Sequence, residues 1–198
     1  HLGFQVVTGA RYLGGHVGSD ETKLEWVRQK IDTWTSAVRS LAKVARSSPH
    51  CAFVGLVKSL QSEWIHLQRV LDGIDAEFGP IEQALSETFL PALLEASPDQ
   101  PKSLRALMAL PIKFGGVGLL NLTVTAARHH ACSSSCTSVL SEAIIRNTAE
   151  WTHMDHSKMM VEGKQTARDA NSILHAAQLK SLMEPMSPKL QRSTTRSR

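Results

Sequence analysis

The sequence predicts a mainly α fold, a bundle of helices with one short β-hairpin at the N-terminal end. Three observations carry that expectation. Leu24, Val27, Ile31, Trp34, Val38, Leu41 and Ala45 recur at spacings of three and four, the signature of one stripe on an α-helix. Two further runs repeat the pattern, Phe53 to Leu71 and Phe78 to Phe89. The first eighteen residues combine β-branched and aromatic side chains with closely spaced glycines, the pattern of short strands.

Element by element, Phe4-Gln5-Val6-Val7-Thr8 and Arg11-Tyr12-Leu13 read as two extended segments around a turn at Gly9-Ala10, with Gly14, Gly15 and Gly18 loosening the chain beyond. Ser19-Asp20 supplies side-chain oxygens that accept from the free N–H groups of a helix start. The first helix stops at Ser47-Ser48-Pro49, because proline cannot continue the hydrogen-bond ladder. A second helix carries Phe53, Leu56, Val57, Leu60, Trp64, Leu67 and Leu71 on one face and ends at Asp72-Gly73. A third opens near Gly79-Pro80 with Phe78, Ile81, Leu85 and Phe89 at helical spacing, proline being tolerated in a first turn. Pro98 and Pro101 mark a loop, and a short helix around Leu104, Leu107, Met108 and Leu110 ends before Pro111. The run 112–120, with three glycines among apolar residues, suits a tight turn or a close backbone approach. Helical pattern resumes from about Thr123 to Ile145, interrupted around Ser133–Ser135, and again from about Ser157 to Met183. The tail beyond Pro185 and Pro188 has four basic residues and no acid, a composition that predicts disorder.

Charge is uneven. Residues 1–48 carry seven Lys/Arg against four Asp/Glu, residues 49–100 two against eight, and residues 101–198 thirteen against six. An acidic middle between basic flanks argues against uniform wrapping by nucleic acid and permits polyanion contact at the ends. Three cysteines, Cys51, Cys132 and Cys136, are too few for a disulfide framework and point to a reducing compartment, hence an intracellular, cytoplasmic or nuclear protein. No apolar run approaches the roughly 18 residues of a membrane span, so no membrane partner is expected. The chain opens on His1 and reads as a fragment of a longer product.

Catalytic constellations are scarce. The carboxylate pairs Glu82/Glu87 and Asp72/Asp75 sit beside expected helix ends, where dipole and capping roles explain them. Gly115-Gly116-Val117-Gly118 is followed by Leu119, so it is no phosphate loop of the Gly-Lys-Ser/Thr kind. Cys132 and Cys136 share a helical face with His129 nearby, and His153 and His156 are the only plausible second pair for zinc. A helix with small buried cysteines is the plainer reading. Arg39, Lys43 and Arg46 form a basic stripe on the first helix, suited to a phosphate backbone and equally to a solvated face. Trp26 lies off the apolar seam, and packs against a neighbour or offers a stacking surface.

The run Gly9-Ala10-Arg11-Tyr12-Leu13-Gly14-Gly15 resembles the "YLG" turn after the catalytic YxDD hairpin in reverse transcriptases of non-LTR, LINE-like retrotransposons. Glu25-Trp26-Val27 with Trp34 looks like that family's first thumb helix, and Ser59-Leu60-Gln61-Ser62-Glu63-Trp64 resembles its "SLQxEW" helix. Phe89-Leu90-Pro91-Ala92-Leu93-Leu94 is similar to "FLPALL", and the segment Leu110–Leu119 to the "LPxxxGGLGL" run after the thumb. The resemblance covers about residues 4–125. One departure is Asn121, followed here by Leu122 where related sequences often have proline.

The resemblance implies a palm remnant with a primer-grip-like hairpin over 1–18, a helical thumb-like region over 19–110, a post-thumb Gly-rich turn and helices over 111–184, and a basic tail over 185–198. It implies a piece of an RNA-directed DNA polymerase without the YxDD aspartates, inactive alone. No cofactor is expected in this piece, and Mg only in the complete polymerase. The partners implied are an RNA–DNA or RNA template–primer duplex and the palm and fingers of the same polyprotein. Arg11, Tyr12, Leu13, Gly14 and Gly15 would hold the primer end, the glycines permitting close backbone approach. Arg39, Lys43 and Arg46 would contact duplex phosphates, and Lys113 beside Gly115 and Gly116 would add another. The alternative is a helical interaction module, or a decayed element product, with no nucleic-acid role.

Overall fold

The computed structural model describes residues 6–95 and 102–184. It is mainly helical, with one two-stranded antiparallel hairpin at the N-terminal end. Two compact units form, one within His1–Pro98 plus Leu122–Ala127, the other within Asp99–Asn121 plus Arg128–Arg198.

The hairpin pairs β1 (Gly9–Tyr12) with β2 (Gly15–Gly18). Its turn is Leu13-Gly14, not Gly9-Ala10, and φ is +46° and +83° at those two residues. Positive φ at both central positions matches the right-handed strand twist. The other glycines serve proximity instead. A Cβ on Gly18 would strike the Gly9 backbone across the ladder, and one on Gly15 would strike the Val70 side chain. Phe4 and Gln5, expected in the first strand, lie outside the described residues.

α1 (Asp20–Ala45) begins as expected, with the Ser19 side chain accepting from the Thr22 N–H at 3.4 Å and Asp20 and Glu21 in the first turn. Its seam is buried at Val27, Ile31, Trp34, Val38, Ala42 and Ala45. α1 packs against α2 (Pro49–Gly55), α4 (Gly79–Ala84) and α5 (Leu90–Leu94). Trp64, Leu67, Phe78, Ile81, Leu85 and Phe89 complete this core, each no more than 2 % exposed. Each such side chain contributes about 1.5–3 kcal/mol on burial.

The second and third helices are each interrupted by a π-helical turn, Leu56–Leu60 before α3 (Gln61–Val70) and Leu85–Phe89 before α5. The later one has a visible cause. Pro91 has no N–H for the carbonyl four residues back and its ring crowds that carbonyl, and the widened turn ahead of it absorbs both. The helix therefore runs on past Phe89 to Leu94.

In the second unit, α6 (Lys102–Ala109) is followed by a 3₁₀ turn at Ile112–Phe114 and the Gly-rich loop. The Arg105 guanidinium forks onto the Leu119 and Leu120 carbonyls at 2.8 and 2.7 Å, tying the loop back to α6. α7 (Leu122–Ile145) is continuous, so the expected break at Ser133–Ser135 does not occur. The Thr137 hydroxyl donates to the Ser133 carbonyl and the Ser138 hydroxyl to the Ser135 carbonyl, a local bonding that a helix accommodates. α8 (His153–Met183) starts four residues earlier than the sequence pattern suggested, at a Thr152 cap that accepts from the Asp155 N–H at 3.1 Å. α6 packs against α8, where the Gln178 amide donates to the Ala106 carbonyl at 3.3 Å. Pro98, Pro101 and the tail from Pro185 lie outside the described residues.

Candidate nucleic-acid interface

Three elements far apart in sequence meet in the first unit. The hairpin brings Arg11 and Gly14, α1 brings Trp26, Lys30 and Trp34, and α3 brings Ser62, Glu63 and His66, around a cleft of about 340 Å³. Gly14 is what lets the hairpin lie down on α3. A Cβ there would come within 2.8 Å of the His66 ring nitrogen, and its φ of +83° is one that L side chains rarely adopt.

The chemistry of the cleft is cationic and aromatic. The Lys30 ammonium stands 6.0 Å from the Trp26 ring and 5.9 Å from the Trp34 ring, within reach of the negative face of each indole. The Trp34 N–H donates to a Glu63 carboxylate oxygen at 2.9 Å, which steers that indole and holds the acid of the cleft in place. His16 lies against Trp26 with ring centroids 6.0 Å apart, and its Nδ1 is buried with no hydrogen-bond partner. Trp26 is half-buried, whereas Trp34 belongs to the core. The off-seam position of Trp26 was the sequence signal for this place.

Of the hairpin residues singled out in the sequence, Arg11 lines the cleft, and Tyr12 and Leu13 stand at the hairpin end with 65 % and 82 % of their surface exposed. Gly14 and Gly15 face α3, so the backbone approach they permit is to protein. Arg39, Lys43 and Arg46 are all exposed on α1. Nine residues separate Lys30 from Arg39, and at about 100° per residue that is two and a half turns. The basic stripe and the cleft therefore leave α1 on opposite flanks of its buried seam, and no single strand lying along the helix touches both.

The Gly-rich loop belongs to the second unit. Its amides are engaged internally: Gly115 donates to the Ile112 carbonyl, Gly116 to Pro111, Gly118 to Leu110 and Leu119 to Met108. Gly116 is buried, and a Cβ on it would run into the Leu110 and Leu107 carbonyl oxygens. A phosphate cradle needs amides pointing outward, so Gly115 and Gly116 act here in packing and turning. Lys113 is exposed, with its ammonium 5.0 Å from the Phe114 ring centroid.

His129, Cys132, Cys136, His153 and His156 do not assemble. Among the described residues no group of three His, Cys, Asp or Glu is placed to hold a metal ion. Cys136 is buried instead against α8, its thiol 3.7 Å from the Met160 carbonyl and close to Gly163. Among the described residues no helix is long and apolar enough to cross a membrane.

No protein-family model, curated protein or solved structure matches the chain. A helical bundle by itself implies no function.

Two anchoring residues had no sequence signal. Glu82, in the first turn of α4 as expected, also accepts from the Leu122 N–H at 2.7 Å, capping the start of α7. Gln68, fully buried, donates to the Leu122 carbonyl at 3.1 Å and meets the Thr125 hydroxyl at 3.3 Å.

Proposed function

We propose that this chain holds the template–primer duplex of a non-LTR reverse transcriptase, the bond-making carboxylates lying outside it. The observation that carries the reading is the cleft. Three of the segments that resemble that family, Gly9–Gly15, the Trp26/Trp34 helix and Ser59–Trp64, converge on one place where Arg11 and Lys30 stand beside an accessible indole. Cations next to an aromatic face suit a phosphate-linked base: the cations displace condensed counterions and the ring stacks.

The chain's own work is binding and orienting. Arg11 and Lys30 meet phosphate oxygens; Gly14 keeps the hairpin seated on α3 so that Arg11 stays beside Lys30. No residue moves a proton or breaks a bond. The sequence has no Tyr-x-Asp-Asp run, and the Mg the resemblance implies belongs with those carboxylates. The Arg39, Lys43 and Arg46 stripe offers a second, separate phosphate surface.

The test is fluorescence anisotropy with a labelled RNA–DNA hybrid at low salt. Arg11→Ala combined with Lys30→Ala is expected to weaken binding about thirtyfold, two charge-assisted contacts at roughly 1 kcal/mol each being removed. Equal affinity of variant and parent, or no binding by the parent, would count against the reading.

One observation favours a second reading, an interaction module with no nucleic-acid role. Ile144, Ile145, Trp151 and Met154 are 79 %, 82 %, 43 % and 79 % exposed around the α7–α8 connection, an apolar grouping of the kind that marks contact surfaces. That reading expects self-association on size exclusion without hybrid binding.

A further inference from the structure

We infer that the cleft between the hairpin, α1 and α3 is a one-nucleotide pocket. It takes a single unpaired nucleotide, the base stacked on Trp26 and the 5′-phosphate between Arg11 and Lys30. The inference rests on the nucleic-acid reading above and names what that site takes.

Size, charge and surface agree on the ligand. A cleft of about 340 Å³ lies at the small end of ligand pockets, ~300–1,000 Å³, room for one nucleotide at the end of the held duplex. Arg11 and Lys30 face one carboxylate, Glu63, which is already engaged by the Trp34 N–H. The net charge of about one suits a single phosphodiester of the strand. A paired base shows its ring face only at the end of a helix, whereas an unpaired base offers it freely, and every base has such a face. His16 backs Trp26 and so fixes the indole before any ligand arrives. Glu63 remains an acceptor at the rim for an exocyclic amino group. An unpaired nucleotide in a strand and a free nucleoside 5′-monophosphate present the same chemistry to these groups.

The full chain is titrated with three ligands: a blunt RNA–DNA hybrid, the same hybrid with one dangling nucleotide, and free adenosine 5′-monophosphate followed by tryptophan quenching. The dangling hybrid is expected to bind about tenfold tighter than the blunt one, the gain typical of one base stacked on an aromatic side chain. Trp26→Leu, which keeps apolar bulk against His16, is expected to bring that ratio close to one. Trp26→Phe, with a smaller ring, should give an intermediate ratio; because the ratio is taken within each variant, a general loss of fold cancels. Equal binding of blunt and dangling hybrids by the parent chain, or a ratio unchanged in Trp26→Leu, overturns the pocket while leaving duplex holding intact. Monophosphate quenching that depends on Trp26, with no hybrid binding, keeps the pocket and overturns duplex holding. Absence of binding by all three ligands overturns both.

Discussion

His175 is the side chain expected to make the second unit sensitive to pH. It sits 5.9 Å from the Phe114 ring, and burial first, then the charges of Arg128 and Lys113, hold its imidazolium below the ordinary value of 6.5. A depressed histidine contributes stability that is present above its unfolded value. That stability is lost as pH falls, since the unfolded chain takes up the proton first. His175→Gln should therefore flatten the fall in Tm between about pH 7 and about pH 5 relative to the parent chain; an equal fall in both would remove His175 as the cause. Gly14 is the corresponding single residue of the cleft. Gly14→Ala combines a disfavoured φ with a contact on His66, and a cost of about 1–2 kcal/mol is expected from urea unfolding. Such roles are only half legible in a sequence. The glycines near the N-terminus announced a hairpin, but which of them turns and which merely makes room depends on α3, some fifty residues away.

At the scale of elements, periodicity carried furthest. The seam of α1 from Val27 to Ala45 is buried as its three-and-four spacing predicts, because an amphipathic stripe has nowhere else to go. Spacing of apolar residues misses the polar members of a buried face. After the π turn at Leu56–Leu60, Trp64, Leu67 and Leu71 are buried as expected, and the polar Gln61 and Gln68 turn inward beside them. Gln68 then anchors α7, and no local pattern announces a partner beyond residue 120. Gln68→Leu is expected to cost about 1–3 kcal/mol in urea unfolding, leaving the Leu122 carbonyl and the Thr125 hydroxyl without their buried amide partner. A variant as stable as the parent would show that the anchor is dispensable. α1 also separates two basic surfaces on its opposite flanks. Replacing Arg39, Lys43 and Arg46 together by Ala should lower hybrid affinity less than replacing Arg11 and Lys30, the reverse of what the sequence stripe alone suggests. Anisotropy titrations on the two variants at the same salt decide it.

For the molecule as a whole, the mainly helical class was legible from three apolar stripes, whereas the cleft was not. Arg11 and Trp26 stood out in the sequence, Lys30 and Glu63 did not, and the four become a site only when the hairpin, α1 and α3 are packed together. The charge distribution sets the long-range field in which this happens. The basic first 48 residues contain Arg11 and Lys30, and the acidic stretch over 49–100 supplies Glu63, so attraction is focused on a small region instead of the full surface. The salt dependence of hybrid affinity tests the central claim, that the cleft cations hold phosphates, most directly. A plot of log affinity against log salt for the parent chain should fall. For the Arg11→Ala, Lys30→Ala variant the slope should be shallower by about 1 for each phosphate that is no longer held. A parent slope near zero, or a variant slope as steep as the parent's, would contradict it.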